Sequence, residues 1–413
     1  MKSNWREGNN VKLLINGDEF YPALFNEIEK AKTEVIIETF ILNEDSVGRK
    51  LQTKLIDAAN RGLRVEITVD DYGTWDLSSS FVKELTGAGV KLHIFDPLPK
   101  IWGVRLNIFR RLHRKIVVID QSLAFIGGIN FSADHKIDFG DKAKQDYAVR
   151  ITGPVVSDIH QSVITLLMRT SSKTERRNYL KEIQSSYSPK ASGKTTAQFV
   201  ERDNWSHKTD IERQYLLALR LAKERVVIAN AYFFPGYRLL REIRRAAQRG
   251  VKVTLILQGQ PDMPWVSALS RLLYAYLLRA GVSIYEYCQR PLHGKVALID
   301  KEWVTIGSSN LDPLSLSLNL ESNLVVMDAE FNQLLYEHLH ELSKSSCKPI
   351  NMKIATRGYW WRTPAIFFSF HFLRLFPTIV GWIPAHAPVA KLIAPKKHFW
   401  QRKNACNTQN ESA

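Results

Sequence analysis

The chain carries two copies of a motif whose residue types suit chemistry at phosphorus. Each copy has a histidine, a lysine two positions later, an aspartate five positions after the lysine, and then a glycine turn that leads to an asparagine. The first copy holds His113, Lys115, Asp120, Gly128 and Asn130, and the second holds His293, Lys295, Asp300, Ser308 and Asn310. The interval from histidine to asparagine is 17 positions in both copies. One match could arise by chance, but two matches with the same downstream turn indicate a shared chemical role.

These residue types can supply the parts of a phosphodiester exchange. Histidine can attack phosphorus or carry a proton near neutral pH, whereas lysine, asparagine and backbone N–H groups can donate to phosphate oxygens. The reaction needs a nucleophile on one side of phosphorus and a proton donor on the other, so two facing half-sites would supply one histidine for each role. Two lysines and two asparagines can balance the phosphate charge, and we therefore expect no metal ion and no cofactor.

Each motif lies on a predicted strand, whose alternation divides its residues between two faces. His113 and Lys115 are two positions apart, so their side chains should emerge on the same face. Asp120 follows Lys115 by five positions and should lie on the opposite face, and Asp300 should do the same in the second copy. The two aspartates are therefore expected to support the site rather than to react.

A histidine nucleophile also needs an acceptor for its second ring nitrogen, so that the attacking nitrogen keeps its lone pair. Asp146 and Glu321 lie at or just before the strand that follows each motif, and both are candidates for this orienting role. Each could instead be a solvated carboxylate at the start of a strand. The turns also differ, because Gly128 offers only backbone where Ser308 offers a hydroxyl. This asymmetry indicates that the two half-sites do unequal work.

The motifs belong to a longer internal repeat. Each half reads helix, strand, helix, strand, helix, strand, and the matched segments are 31–42 with 222–233, 58–69 with 246–257, and 88–95 with 280–287. Short Val/Ile/Leu-rich runs between amphipathic helices predict an α/β fold with a mostly parallel or mixed sheet flanked by helices. We expect two similar α/β/α lobes that share one active site.

Composition changes suggest where the lobes begin and end. Residues 171–195 are polar and read as a connection between the halves. The predicted parts are a first lobe at 1–170, a linker at 171–200, a second lobe at 201–348 and a C-terminal segment at 349–413.

Charge and cysteine content narrow the function class. The formal charge is +16, with 57 Lys+Arg against 41 Asp+Glu, which predicts attraction to nucleic acid or to acidic lipid headgroups. The three cysteines have no CxxC spacing, so a disulfide framework or a thiolate zinc site is not expected and a reducing compartment is favoured. The first residues lack the apolar core of a signal peptide or of a membrane span.

At its two motifs the sequence resembles the phospholipase D superfamily, whose hallmark is a paired H-x-K-x₄-D motif. The similarity covers about residues 10–345 and is greatest to bacterial cardiolipin synthases of the shorter type, which lack two N-terminal membrane spans. It implies a bilobed α/β/α fold with one shared site. It also implies that His113 forms a phosphatidyl-histidine, while His293 protonates the departing alcohol and then deprotonates the acceptor. The residues themselves leave open which histidine takes which role.

Members of this superfamily cut nucleic acid as well as lipid, and two segments favour lipid. Residues 359–384 are rich in aromatic and aliphatic side chains but are interrupted by His371, Arg374 and Pro377. The uncharged stretches are shorter than the roughly 20 residues that span a bilayer, so an interfacial location is expected. Packing of a C-terminal helix on the second lobe is the alternative. Residues 97–111 combine aromatic, aliphatic and basic side chains and are either a lipid-contacting loop or an ordinary basic loop.

The sequence therefore predicts a peripheral membrane phosphatidyltransferase that transfers a phosphatidyl group onto phosphatidylglycerol to give cardiolipin. The expected partner is an anionic phospholipid membrane and not nucleic acid, and the expected location is the cytoplasmic face of the bacterial inner membrane. A hydrolase, either a phospholipase D or a nuclease, is the alternative within the superfamily. A degenerate lipid-binding scaffold is the alternative outside enzymes. The donor headgroup, glycerol or ethanolamine, is left open.

Overall fold

A computed structural model describes residues 4–74, 76–97, 110–171, 173–184, 189–260, 270–356 and 390–393, together with positions 364, 368, 371 and 375. The strands are β1 (Arg6–Ile15), β2 (Glu34–Thr39), β3 (Arg64–Asp70), β4 (Lys91–Phe95), β5 (Ile116–Ile119), β6 (Leu123–Gly127), β7 (Tyr147–Thr152), β8 (Thr195–Arg202), β9 (Arg225–Asn230), β10 (Lys252–Gln258), β11 (Ser283–Tyr287), β12 (Lys295–Ile299), β13 (Trp303–Gly307), β14 (Glu321–Met327), β15 (Cys347–Ile350) and β16 (Ala390–Ile393).

The helices alternate with these strands. They are α1 (Asn16–Lys30), α2 (Ser46–Asn60), α3 (Ser79–Gly87), α4 (Val155–Thr170), α5 (Lys173–Gln184), α6 (Asp210–Leu221), α7 (Tyr237–Gln248), α8 (Tyr274–Leu278), α9 (Pro313–Ser317), α10 (Ala329–Ser345) and α11 (Met352–Ala355). Two short 3₁₀ segments, Ala133–His135 and Ile137–Lys142, follow the first motif.

All the described strands belong to one mixed sheet, and its order is β15-β11-β10-β9-β12-β13-β14-β8-β1-β7-β6-β5-β2-β3-β4-β16. Counted inwards from its two edges, the sheet has corresponding strands at corresponding places. β2, for example, occupies the same place in the first half as β9 does in the second. Among the named strands, β2–β3–β4 and β9–β10–β11 pair in parallel and the other neighbours run antiparallel. The α/β repeat is confirmed, with a mixed rather than mostly parallel sheet.

The two halves join through strands that the repeat pattern missed. β1 pairs with β7 on one side and with β8 on the other, so β1 and β8 lie side by side at the centre of the sheet. β8 also pairs along its length with β14. The segment 171–200 is therefore only partly a linker, because it contains α5 and the start of β8. Its polar alternation concealed a strand that is buried on one side only.

Hydrophobic packing holds the halves together as well. β6 and β7 pack against β13 and β14, and one core takes buried residues from both halves, including Val118 and Ile159 from the first and Leu298 and Leu335 from the second. Two further cores belong to single halves. Burial of this common apolar surface is the main force that fixes the two motifs relative to each other.

Glycines end corresponding helices in the two halves. Gly62 follows α2 with φ +85°, and Gly250 follows α7 with φ +92°. This left-handed conformation strains other residues and lets the chain leave the helix and enter the next strand. β3 and β10 begin within two residues of these glycines. The sequence repeats an Arg-Gly pair, Arg61-Gly62 and Arg249-Gly250, and in both halves the glycine lets the chain leave a helix.

The C-terminal segment is attached at both edges of the sheet. β15 pairs with β11 at one edge, and β16 pairs with β4 at the other. The end of β15 and the whole of β16 belong to the segment 349–413, and both strands complete the sheet; membrane association of this segment stays a prediction. Most of residues 359–384 lie outside the described residues. In the described part of the chain, every helix is too short or too polar to cross a membrane.

Candidate active site

The two motif histidines are held by the backbone of the opposite half. The N–H of His113 donates to the carbonyl of Leu320 at 2.9 Å, and the N–H of His293 donates to the carbonyl of Gln145 at 2.8 Å. Parallel bridges join the neighbouring residue Leu112 to Leu320, and Leu292 to Gln145. Neither histidine lies within a strand of the main sheet, as the alternation argument assumed, because β5 and β12 begin only after the histidines.

Each histidine is also oriented by a carboxylate of the opposite half. Nδ1 of His113 lies 3.0 Å from Oε2 of Glu321, and Nδ1 of His293 lies 2.6 Å from Oδ2 of Asp146. Both carboxylates are fully buried, whereas the histidine side chains remain 13% and 12% exposed. Within the described residues, Nε2 of His113 and Nε2 of His293 have no hydrogen-bond partner. Two imidazole nitrogens are thus available to a ligand, and each ring is fixed from behind.

The motif lysines lie beneath the histidines. Lys295 is completely buried and Lys115 is 5% exposed. Nζ of Lys115 donates to the carbonyl of His113 at 2.7 Å and lies 5.2 Å from the ring centre of Phe40, and Nζ of Lys295 donates to the carbonyl of His293. Burial, together with the nearby charge of Lys295, lowers the pKa of Lys115 to about 7. An anion bound beside these ammonium groups would restore their normal basicity.

Burial favours the neutral form of both motif histidines. Burial lowers the pKa of His113, and the charge of Lys115 lowers it further against the opposing effect of Glu321. The pKa of His293 lies well below its usual value because of burial and then because of Lys295. The charges of Lys115 and His113 contribute to that shift, so the two halves act on each other electrostatically. The two motifs therefore form one site.

The two orienting carboxylates differ in their own surroundings. Burial tends to raise the pKa of Glu321, but the charges of His113 and Lys115 and the hydroxyl of Ser308 leave it below normal. Burial raises the pKa of Asp146, and Lys295 only partly opposes this. Oγ of Ser308 donates to Oε2 of Glu321 at 2.5 Å. Gly128, which occupies the equivalent position, has no side chain to donate to Asp146.

The motif aspartates do not reach the histidines. Asp120 accepts the backbone N–H of Thr33 at 2.7 Å and those of Lys32 and Glu34 at 2.9 and 3.1 Å. Asp300 accepts the N–H of Glu224 at 2.7 Å in the same way. Both aspartates have positive φ, near 50°, at the turns that follow β5 and β12. They hold the starts of β2 and β9, and the supporting role expected for both aspartates of the catalytic motif stays a prediction.

The asparagines of the glycine turns are buried. Oδ1 of Asn130 accepts the N–H of Ile41 at 3.2 Å, and its Nδ2 has no partner among the described residues. Asn310 is 4% exposed, and within the same part of the chain its Oδ1 has no partner. Asn230 was missed by the sequence analysis. Its Oδ1 accepts the N–H of Leu311, and its buried Nδ2 finds no acceptor in the described residues.

A third histidine, also missed, lies behind the site. His135 is completely buried, and its ring centre is 5.3 Å from that of His293. Donor atoms of His135, Asp146 and His293 lie within 4.8 Å of one another, a spacing that a metal ion could use. However, His293 and Asp146 already share a hydrogen bond of 2.6 Å, and Nε2 of His135 accepts the N–H of Asn130. Hydrogen bonds thus already engage His293, Asp146 and Nε2 of His135, while Nδ1 of His135 has no hydrogen-bond partner in the described part of the chain.

Little of the loop before the first motif, residues 97–111, lies within the described residues. Of residues 97–111, only 97, 110 and 111 belong to the described part, so the expected lipid contact of this loop lies outside it. Arg111 lies 4.8 Å from the ring centre of Tyr72 and 3.7 Å from Asp70. These contacts place the end of the loop against β3, next to the first histidine.

Known proteins share this arrangement of two motif-bearing halves. A family model described as "Cardiolipin synthase, PLD-like domain" matches residues 24–164 and 215–343, which include both motifs. The chain is 53% identical over 395 residues to Cardiolipin synthase B of Salmonella typhimurium (strain LT2), covering 96% of this chain and 95% of that protein. It is 48% identical over 411 residues to Cardiolipin synthase B of Escherichia coli (strain K12), covering 99% of both.

A solved structure gives the same result for the fold. Phosphatidylserine synthase of Haemophilus influenzae Rd KW20 superimposes with a TM-score of 0.62, covering 87% of this chain and 94% of that chain. At 16% sequence identity this similarity concerns the fold alone. Sequence identity over nearly the whole chain and the matched family model carry the assignment: the chain belongs to the phospholipase D-like family of cardiolipin synthases.

Proposed function

We propose that the chain is a cardiolipin synthase that transfers a phosphatidyl group from one phospholipid, phosphatidylglycerol in the simplest case, to phosphatidylglycerol. One observation carries the proposal: each motif histidine is tied at Nδ1 to a buried carboxylate, Glu321 or Asp146, and presents Nε2. A neutral imidazole held in this way is suited to nucleophilic attack or proton transfer. The naming of close relatives as Cardiolipin synthase B supports the substrate class.

In the first step, Nε2 of His113 attacks the donor phosphorus, and a P–N bond forms as the P–O bond to the headgroup breaks. His293 gives its Nε2 proton to the departing alkoxide. In the second step, His293 takes the proton of the acceptor hydroxyl, whose oxygen attacks phosphorus. The P–N bond then breaks and His113 is regenerated. One phosphodiester is exchanged for another, so the reaction needs no ATP. The role of each histidine follows the family resemblance.

The proton donor must be charged when the headgroup leaves, although His293 is neutral in the empty site. The cause of its low pKa is burial among positive charges, Lys295 first among them. A phosphodiester carries a negative charge, which would offset Lys115 and Lys295 and raise the pKa of His293. Substrate binding would thus prepare the acid. The lysines, together with Nδ2 of Asn130, would then bind the non-bridging oxygens.

The lipid surface is the second part of the proposal. Ile137 and Phe139 are 58% and 48% exposed in the segment directly after His135, and Lys136 and Lys142 flank them. Asp138, which pairs with Lys136, and Asp141 balance these lysines, so the exposed apolar side chains are what suits a bilayer boundary. We place the protein on the cytoplasmic face of the bacterial inner membrane, with residues 359–384 as an additional interfacial contact and no nucleic-acid partner.

Purified full-length protein, mixed with phosphatidylglycerol vesicles, tests the reaction. Cardiolipin and glycerol are expected in equal amounts, and His113→Ala should form neither. Phosphatidic acid without cardiolipin would assign the chain to the hydrolases. Activity should persist in excess chelator. Labelled phosphatidylethanolamine added to the same vesicles identifies the donor headgroup.

Membrane attachment is tested separately in cells. The full chain should sediment with inner membranes, and it should be protected from protease added to the periplasmic side. A chain that ends at residue 358 should be recovered partly in the soluble fraction. Unchanged recovery with membranes would remove the C-terminal segment from the proposal without affecting the reaction.

A further inference from the structure

The two orienting carboxylates have different second donors. Oε2 of Glu321 accepts from His113 at 3.0 Å and also from the hydroxyl of Ser308 at 2.5 Å. Asp146 accepts from His293 at 2.6 Å, but its neighbour at the equivalent turn position is Gly128. A buried carboxylate needs hydrogen bonds to stay ionised and in place. The second half-site must therefore obtain its additional donor elsewhere.

Gly128 is required by the position of Asp146. A Cβ atom at residue 128 would lie 2.3 Å from Oδ1 and 2.8 Å from Oδ2 of Asp146, so no side chain fits between them. The carboxylate of Asp146 occupies the space that a serine would need. The backbone N–H of Tyr147 donates to Oδ1 at 2.8 Å, which leaves Oδ2 for His293 and for one further donor.

His135 faces that oxygen. The N–H of Asn130 donates to Nε2 of His135 at 3.3 Å, so Nε2 carries the lone pair and the proton of the neutral ring lies on Nδ1. Nδ1 lies 3.5 Å from Oδ2 of Asp146. Although it is buried, it has no hydrogen-bond partner among the described residues, so a small approach of the ring would let it donate to this oxygen. Burial keeps the pKa of His135 well below its usual value, so the ring is neutral. The corresponding position of the second repeat, 22 residues after His293, is Ser315.

We propose that His135 is a positioning residue, whose Nδ1–H holds the Asp146–His293 pair as the Ser308 hydroxyl holds the Glu321–His113 pair. The proposal rests on the proposed function, because it assigns unequal support to the two reacting histidines. In the half-site of His293, the donor is the imidazole of His135 and the carboxylate is Asp146, beside Gly128. In the half-site of His113, the donor is the hydroxyl of Ser308 and the carboxylate is Glu321. With the contact from His135 closed, each half-site would have a carboxylate with two side-chain donors.

The charges around Asp146 define what loss of His135 would do. The titratable groups that face this carboxylate are His135, His293, Lys115 and Lys295. Removal of a donor from a buried carboxylate disfavours its ionised form and raises its pKa. His293 then loses its orienting acceptor at a higher pH than before. The acid limb of the activity profile should therefore move to higher pH.

Two substitutions test the roles of the two ring nitrogens of His135 one at a time. In His135→Asn, the amide nitrogen can occupy the place of Nδ1 and donate to Asp146. In His135→Gln, the amide oxygen can reach the place of Nε2 and accept from Asn130, but the donor to Asp146 is lost. His340→Gln is the matched control, because His340 is exposed on α10 and stacks on Tyr336. Thermal unfolding of all three variants reports structural damage.

The expected results differ between the variants. His135→Gln should lower kcat roughly tenfold, the effect of one lost charge-assisted hydrogen bond, with KM nearly unchanged and the acid limb at higher pH. His135→Asn and His340→Gln should keep most of the activity and the wild-type profile. In an Asp146→Asn background, His135→Gln should cause no further loss. Equal losses in both His135 variants, or a wild-type rate and profile in His135→Gln, would overturn the proposal.

The role of His135 can also be tested without cardiolipin synthesis. Release of the lipid headgroup measures turnover with either water or alcohol as acceptor, so a hydrolase outcome would defeat the proposed function and leave this test intact. Nitrogen-15 spectra of histidine-labelled protein read the tautomer without any turnover. The signals of His135 are the ones that disappear in His135→Asn, and they should report a neutral ring with its proton on Nδ1. A proton on Nε2 would contradict the proposal.

Discussion

Glu321 and His113 are 208 positions apart and share a hydrogen bond of 3.0 Å between Oε2 and Nδ1. The same crossing joins Asp146 of the first half to His293 of the second. Neither half therefore contains a complete histidine–carboxylate pair, and folding of both halves around one sheet is required to make either pair. This crossing explains why both copies of the motif are needed in one chain.

Loss of either carboxylate should disable the histidine of the other half. Glu321→Gln is expected to reduce kcat by roughly 10³-fold or more, because an amide no longer selects the imidazole tautomer with its lone pair on the reacting nitrogen. The rate of headgroup release measures the effect. Glu224→Gln, at an exposed position that pairs with Lys301, is the matched control and should leave the rate unchanged. A loss of less than about threefold for Glu321→Gln would speak against the orienting role.

Asp120 should matter for stability more than for chemistry. Asp120→Ala removes the acceptor of three backbone N–H groups and should lower the free energy of unfolding by about 2 kcal/mol. The remaining folded protein should keep a near-normal kcat, measured below the unfolding transition. Asp300→Ala should behave alike. A large loss of kcat with unchanged stability would instead assign the aspartates a direct part in the reaction.

The pH profile of kcat/KM should be bell-shaped. The acid limb should lie below the usual histidine pKa, because burial lowers the pKa of His113 and attack requires the neutral ring. The basic limb should lie no higher than about 7, because the pKa of Lys115 is about 7 in the free enzyme and only its charged form binds phosphate, and because the pKa of the acid His293 is lower than usual. In kcat the basic limb should move to higher pH, since bound phosphate favours the ammonium. A profile of kcat/KM that stays flat well above pH 7 would contradict this assignment.

The exposed apolar pair near the site should contribute to vesicle binding. Ile137→Asp combined with Phe139→Asp is expected to weaken binding to phosphatidylglycerol vesicles roughly tenfold or more, because the pair would bury apolar surface in the bilayer. Sedimentation with vesicles measures the effect. Leu334→Asp, at a 53% exposed position on α10, is the control and should bind normally. Equal binding by all variants would exclude this segment as a lipid contact.

Local periodicity was enough to predict the α/β repeat and the motif residues. The strands that it found are buried apolar runs, such as β2, all six residues of which are buried. β1 and β8 escaped because a strand with one exposed face and polar residues resembles a loop. Their position at the centre of the sheet follows from pairing between the halves, which no local pattern encodes.

The sequence predicted the motif residues and the orienting residues of the site, but not which of them pair with each other. Asp146 and Glu321 were identified as candidate orienters, yet their exchange between halves is a property of tertiary packing. The position of the second repeat that corresponds to His135 holds Ser315, so a search for repeated residues could not select this histidine. The one available signal was Gly128 in place of Ser308, which indicated that something else must support Asp146.

The central claim is one site in which His113 forms the covalent bond and His293 handles protons. The most direct measurement uses His293→Ala with a phosphatidyl donor whose leaving group needs no proton, followed by mass spectrometry of the quenched protein. The account predicts one phosphatidyl group per chain, attached to His113 and absent from the His113→Ala, His293→Ala double variant. An adduct on His293 in His113→Ala, or substantial cardiolipin synthesis by that variant, would contradict it.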